Sequence, residues 1–122
     1  MQNMAAQAYG RTAVRTANPR EVEAQLLLKA AAKLEAIRTG TPDRQVAQDA
    51  ITYNRKLWTV FASSVTRPEN PLPLEIRENI GSLAIYVLGQ SIEVFSNQDP
   101  DKIAALVSIN REIAAGLSGN AA

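Results

Sequence analysis

Asn54-Arg55 and Asn110-Arg111 both stand inside apolar stretches, and Trp58 follows the first asparagine by one helical turn. Side chains of these types recognise rather than react. A guanidinium grips a carboxylate in a bidentate fork or stacks on an aromatic ring, and an indole covers a large area at small entropic cost. A buried asparagine needs partners for both ends of its amide, which makes it a device for fixing the register of neighbouring helices. The types that catalysis most often uses are missing. The 122 residues include no histidine and no cysteine, which removes imidazole acid-base chemistry, thiol nucleophiles, disulfides and the usual zinc ligands. The serines lack a placed base, and Lys29, Lys33, Lys56 and Lys102 fall at surface-like positions. Asp99 with Asp101 and Glu75 with Glu78 stand where helices are expected to begin, and helix N-termini attract carboxylates without any metal. The six glycines are dispersed, so none forms a phosphate-cradling loop. The expectation is a binding protein, not an enzyme, with no metal and no cofactor.

Helices must position these groups. Twenty alanines and regular punctuation by proline favour helix throughout. Asn18, Pro19 and Glu21 supply a cap, a proline at the first helical position and an acid beside the free amides, so a helix begins at residue 19. Its stripe of Val22, Leu26, Leu27, Ala30, Leu34 and Ile37 ends near Arg38, before Thr39 and Gly40. Thr41 as cap and Pro42 as first residue open a second helix, with stripe Val46, Ala50, Tyr53, Leu57, Val60, Phe61 and Ser64, running to about Thr66. A stiff link at 70–73 leads to a third helix from about Pro73 to 96–98. It carries Ile76, Ile80, Leu83, Val87, Ser91 and Val94, widened by Ala84, Leu88 and Phe95. Gly81 and Gly89 share nearly one face of it, where a neighbouring backbone could approach closely. Asp99 and Pro100 start a fourth helix with stripe Ile103, Leu106, Ile109, Asn110, Ile113 and Leu117.

Four amphipathic segments joined by short connections predict an all-α fold, a compact single-domain bundle of about four main helices over residues 18–119, with antiparallel neighbours. Residues 1–17 form a separate N-terminal segment. Met4, Ala8, Tyr9 and Val14 suit a short helix docked on the bundle, while Gly10 suits a mobile tail equally well. An apolar stripe facing a helix of the same chain reads like one facing a second copy, so a homo-oligomer satisfies the same pattern.

Charge is nearly balanced at +1 but unevenly placed. Arg11, Arg15 and Arg20 stand at the start without an acid, whereas Glu69, Glu75, Glu78 and Glu93 gather later against Arg77 alone. The basic end suits an anionic partner or intramolecular pairing with the acidic segment. Three arginines are a small footprint for nucleic acid, so RNA is the alternative partner rather than the leading one. The longest apolar run, 83–88, is far shorter than the roughly 20 residues of a membrane-spanning helix. No secretory signal opens the chain, so no membrane association and a cytoplasmic home are expected.

Ala8-Tyr9-Gly10, Asn18-Pro19-Arg20-Glu21-Val22-Glu23, Asn54-Arg55-Lys56-Leu57-Trp58, Asn70-Pro71-Leu72-Pro73, Ile109-Asn110-Arg111 and Gly116-Leu117 occur in an order and spacing that resembles the flagellar biosynthesis regulator FlaF family. The resemblance covers nearly the whole chain. It implies a small cytoplasmic bacterial protein, found mainly in alphaproteobacteria, that is needed for flagellin synthesis and secretion. The implied partner is flagellin, alongside a second regulator, FlbT, with an opposing effect on flagellin translation. Unassembled flagellin carries long amphipathic helices whose apolar faces need cover, which a small bundle supplies by taking a helix into a groove. On this reading Tyr9, Arg55, Trp58 and Arg111 are the partner-binding residues, with Trp58, Arg55 or Arg111 at the groove edge and Tyr9 as a lid or part of the surface; a tryptophan in an apolar stripe is more often core than contact, which is the other place for Trp58. Asn54 and Asn110 are the structural polar residues. The alternative is a regulator that binds flagellin message directly through the basic N-terminus.

Overall fold

The computed structural model describes residues 19–119, in which four helices and no strand occur. They are α1 Pro19–Thr39, α2 Arg44–Val65, α3 Leu74–Asn97 and α4 Pro100–Leu117. The all-α bundle is as expected. The N-terminal segment 1–17, with Tyr9, Arg11 and Arg15, lies outside the described residues.

Cross-helix contacts fix the directions. The Asn110 side chain reaches the Leu27 carbonyl, and Arg20 and Leu117 line one groove, so α1 and α4 run antiparallel. Val65 lies against Gly81 while Gln48 reaches the Phe95 carbonyl, which makes α2 and α3 antiparallel too. The most extensive packing is between α1 and α4 and between α2 and α3; α3 and α4, although joined by the shortest link, pack far less closely than these. Ala24, Ala31 and Ala114 are buried, and small side chains of this kind let helix axes approach closely. The core is filled by Leu27, Leu34, Ile51, Trp58, Val87, Val94, Ile103 and Leu106. Trp58 and Phe61 meet edge to face at 5.7 Å between ring centroids, a favoured geometry for two quadrupoles.

Three local expectations need correction. The second helix begins at Arg44 rather than Pro42, because the Asp43 carboxylate, not Thr41, accepts the Val46 amide at 2.9 Å. A carboxylate satisfies a free amide and also meets the positive end of the helix dipole. The buried stripe of α2 is Ala47, Ala50, Ile51, Asn54, Trp58, Phe61 and Val65, while Val46 and Val60 are 52% and 63% exposed. Centring the stripe on Tyr53, Leu57 and Val60 rotates it by about one residue, or about 100° of helix. Finally, no backbone approaches Gly81 or Gly89: the nearest atom to a Cβ at Gly81 is Val65 Cγ2 at 4.0 Å, and nothing lies within 4 Å at Gly89.

The other described helix ends lie within about two residues of where they are read, while the expected Asn18 cap lies outside the described residues. Asp99 caps α4 by accepting the Asp101 amide at 2.9 Å, with Pro100 in the first turn. The link before it is tight because Gln98 takes the left-handed conformation, φ 54°, and donates its amide to the Val94 carbonyl at 2.9 Å.

Candidate partner-binding surface

The two asparagines and the tryptophan meet in the centre of the bundle, each with 0% exposure. Their hydrogen bonds follow from the one group that has no choice. An indole N–H only donates, so Asn110 must turn its Oδ1 toward Trp58 Nε1, at 2.9 Å. That turns Asn110 Nδ2 toward α2, where it donates to Asn54 Oδ1 at 2.7 Å, and also to the Leu27 carbonyl at 3.4 Å. Asn54 is thereby fixed as well, and its Nδ2 is left without a partner among the described residues. The network ties α1, α2 and α4 in one register. Trp58 therefore stands in the core and not at the edge of a groove, because its N–H is bound inside and its ring packs on Phe61.

Arg55 and Arg111, one position beyond the asparagines, are exposed. Arg111 faces α1, where its charge bears on Glu35. The Glu35 carboxyl is held below its ordinary value chiefly by hydrogen bonding from Arg38, whose Nε donates at 2.9 Å. The sequence cluster thus separates into a buried amide network and two outward arginines on different helices.

A surface not singled out in the sequence lies on α3. Six of the ten large apolar residues that remain exposed belong to this helix: Leu74, Ile76, Ile85, Tyr86, Ile92 and Phe95. Ile85 and Ile92, two turns apart, are 77% and 72% exposed. From residue 79 through 92 the chain contains no charged side chain. That run was the available signal, since a surface helix ordinarily places charge on its outer face. Where α3 and α4 part, a groove of about 440 Å³ opens between them, with Leu72, Ile76, Ile80, Ile113 and Leu117 among its walls and Arg20 and Glu112 at its rim. Nearby on the inner face of α1, Glu23 is half-buried beside Phe61, Ile80 and Leu117. Burial raises its carboxyl pKa, and the Arg20 charge partly opposes the shift.

On the other side of the bundle, Tyr53 lies beneath the ammonium groups of Lys29 and Lys33, at 5.8 and 5.2 Å from its ring centre. Among the described residues no group of three or more acidic, histidine or cysteine side chains is placed to hold a metal, and no helix is long and apolar enough to cross a membrane.

The surface is suited to apolar contact, and the known proteins point to a setting for it. No significant match to this chain is found among curated proteins or among solved structures. A family model described as flagellar protein FlaF matches residues 5–117, nearly the whole length. The chain belongs to the FlaF family of flagellar proteins.

Proposed function

We propose that this protein binds flagellin in the cytoplasm as a chaperone or secretion adaptor, and that it promotes flagellin synthesis and export through that binding rather than through catalysis. The observation that carries the reading is the exposed pair Ile85 and Ile92 on the outer surface of α3, within the run 79–92 that contains no charged side chain. Family membership supplies the flagellar setting. Scattered exposed apolar residues are normal on a soluble protein, but Ile85, Ile92 and Phe95, seven and three residues apart, share one side of α3, and an apolar patch of this kind marks an interaction site. Its apolar character fits an amphipathic helix, whose own apolar face is covered in the same step. FlbT enters this reading as the opposing regulator of the same flagellin.

Isothermal titration with purified flagellin at low and high salt, with flagellin message as a parallel ligand, tests the proposal. Saturable binding to flagellin that survives high salt is expected, because apolar burial is not screened. Absence of flagellin binding sinks it. Binding of message alone, with affinity collapsing as salt rises, makes the chain an RNA-binding regulator instead.

A further inference from the structure

α3 carries two parallel seams one residue apart. The inward one is Ile80, Ala84, Val87, Ser91 and Val94, all buried in the bundle. The outward one is Gly81, Ile85, Leu88, Ile92 and Phe95, spaced alternately by four and three residues, the a/d repeat by which one helix packs along another. Leu88, packed against the core, is half-buried, and Phe95, whose carbonyl accepts from Gln48 of α2, is 40% exposed. Ile85 and Ile92 point away from the bundle.

Gly89 adds an independent observation. It lies on the same face, exposed, in the middle of a helix, where glycine is the poorest residue apart from proline. Its φ is not positive, and no atom of the bundle lies within 4 Å of where a Cβ would stand. Among the described residues, neither backbone conformation nor internal packing uses this glycine. The approach of an outside helix would use it, because a bare backbone lets two axes come close.

Charge disfavours a second copy of this chain as the occupant. One heptad before Ile85 the outward seam reaches Glu78, which is exposed. A parallel pairing of two copies sets Glu78 against itself. An antiparallel pairing that matches Ile85 with Ile92 brings Glu78 to the C-terminal end of the other α3, beside Asp99 and the negative end of the helix dipole. Lys102 also stands at that end, but it is paired with Glu93, and Asp99 and Asp101 keep the end acidic, so both arrangements set Glu78 against negative charge. A different helix, with an apolar a/d seam and a lysine or arginine opposite Glu78, fits both features. From Glu78 to Phe95 the seat is about 25 Å long at the helical rise.

We infer that the outward seam of α3, from Glu78 to Phe95, seats one helix of flagellin whose apolar seam ends in a basic residue facing Glu78. The inference rests on the proposed function and names its contact surface.

The test is titration of flagellin into the full-length protein and five variants, with thermal melting of each as a control for folding. Ile85→Ser combined with Ile92→Ser leaves melting near wild type and weakens binding at least tenfold. Gly89→Leu raises the melting temperature and weakens binding, opposite signs that a purely structural glycine would not give. Glu78→Lys weakens binding more at low salt than at high, and Glu78→Gln does so less. Val60→Ser, at an exposed apolar position on α2, binds as wild type. Equal binding by wild type and all α3 variants overturns the seat and leaves the proposed function standing. Failure of wild type to bind flagellin takes both down. Sedimentation equilibrium showing a dimer that Ile85→Ser with Ile92→Ser dissolves overturns the inference in favour of a second copy.

Discussion

The centre of the bundle and the outer face of α3 break the same rule in opposite directions. Asn54 and Asn110 stand where apolar side chains are the norm, and Ile85 and Ile92 stand where charged ones are. The first exception is nearly closed inside the molecule: Trp58, Asn110, Asn54 and the Leu27 carbonyl satisfy one another, except for Asn54 Nδ2. The second has no counterpart within the described residues. An unusual residue whose partners lie inside the chain informs about folding, whereas one without internal partners points outward, to what the protein meets. Polarity alone does not separate the two cases; the list of partners does.

The strongest way to break the comparison is from the inside. Asn110→Ala removes the acceptor for the buried Trp58 N–H and the donor for Asn54 Oδ1, and leaves a small cavity. Unsatisfied buried groups and lost packing of this kind cost about 3 kcal/mol together. Urea denaturation reads this as a fall in the midpoint with little change in slope. A loss under about 1 kcal/mol means that water or rearrangement replaces the network readily. Trp58→Phe is milder. It keeps much of the ring area but strands Asn110 Oδ1, at a cost of about 2 kcal/mol. Because both changes break the same hydrogen bond, the double variant Asn110→Ala with Trp58→Phe falls short of additivity by about 1 kcal/mol or more.

The same distinction explains what could be read in the sequence. Helix ends depend on neighbouring residues, so Pro19, Asp99 and Pro100 declared themselves through capping chemistry. The exception, Asp43 in place of Thr41, arose because two capping residues stand two apart and only the carboxylate is positioned for the Val46 amide. Stripes were harder. In α2 the large residues Val46 and Val60 suggest one face, yet the buried face runs through Ala47, Asn54 and Trp58, because the packed network takes the tryptophan inward. The asparagines were legible as register-fixing residues from their types. That Trp58 joins them depends on α4 crossing α2 at that level, a tertiary fact that no local pattern encodes. The outward seam of α3 was hidden behind the inward one. Leu88 and Phe95, placed on the margin of a single wide stripe, belong to a second stripe that only the direction of the core separates from the first.

Glu23 lies between the two regions in character, a carboxylate half-buried among Phe61, Ile80 and Leu117. Burial raises its pKa in the folded state, more than the Arg20 charge lowers it. The unfolded chain therefore loses this proton at lower pH than the folded one. Its contribution favours the folded state below the unfolded value, about 4.5, and fades as pH rises through the higher folded value. At neutral pH the ionised group is a modest burden, reduced by the water that still reaches it. Glu23→Gln is expected to raise the melting temperature at pH 7 and to lose that advantage near pH 4. An advantage that persists unchanged at pH 4 assigns the effect to packing rather than to charge.

The smallest expected change in stability is the most informative about the outer face. Ile80 and Ile85 are the same residue type on one helix, with exposures of 4% and 77%. Ile80→Ser removes a buried side chain and leaves a hydroxyl in an apolar setting, a loss of several kcal/mol. Ile85→Ser and Ile92→Ser remove side chains already in water, so each shifts stability by no more than about 0.5 kcal/mol. Denaturation of the three single variants in parallel makes the comparison within one helix. A loss above about 1.5 kcal/mol for Ile85→Ser or Ile92→Ser means that something covers the face in the free protein. Repeating that measurement over a hundredfold range of protein concentration then identifies the cover, because a second copy makes stability depend on concentration and a segment of the same chain does not. If both variants stay within 0.5 kcal/mol of wild type while flagellin binding is lost, Ile85 and Ile92 serve contact rather than folding.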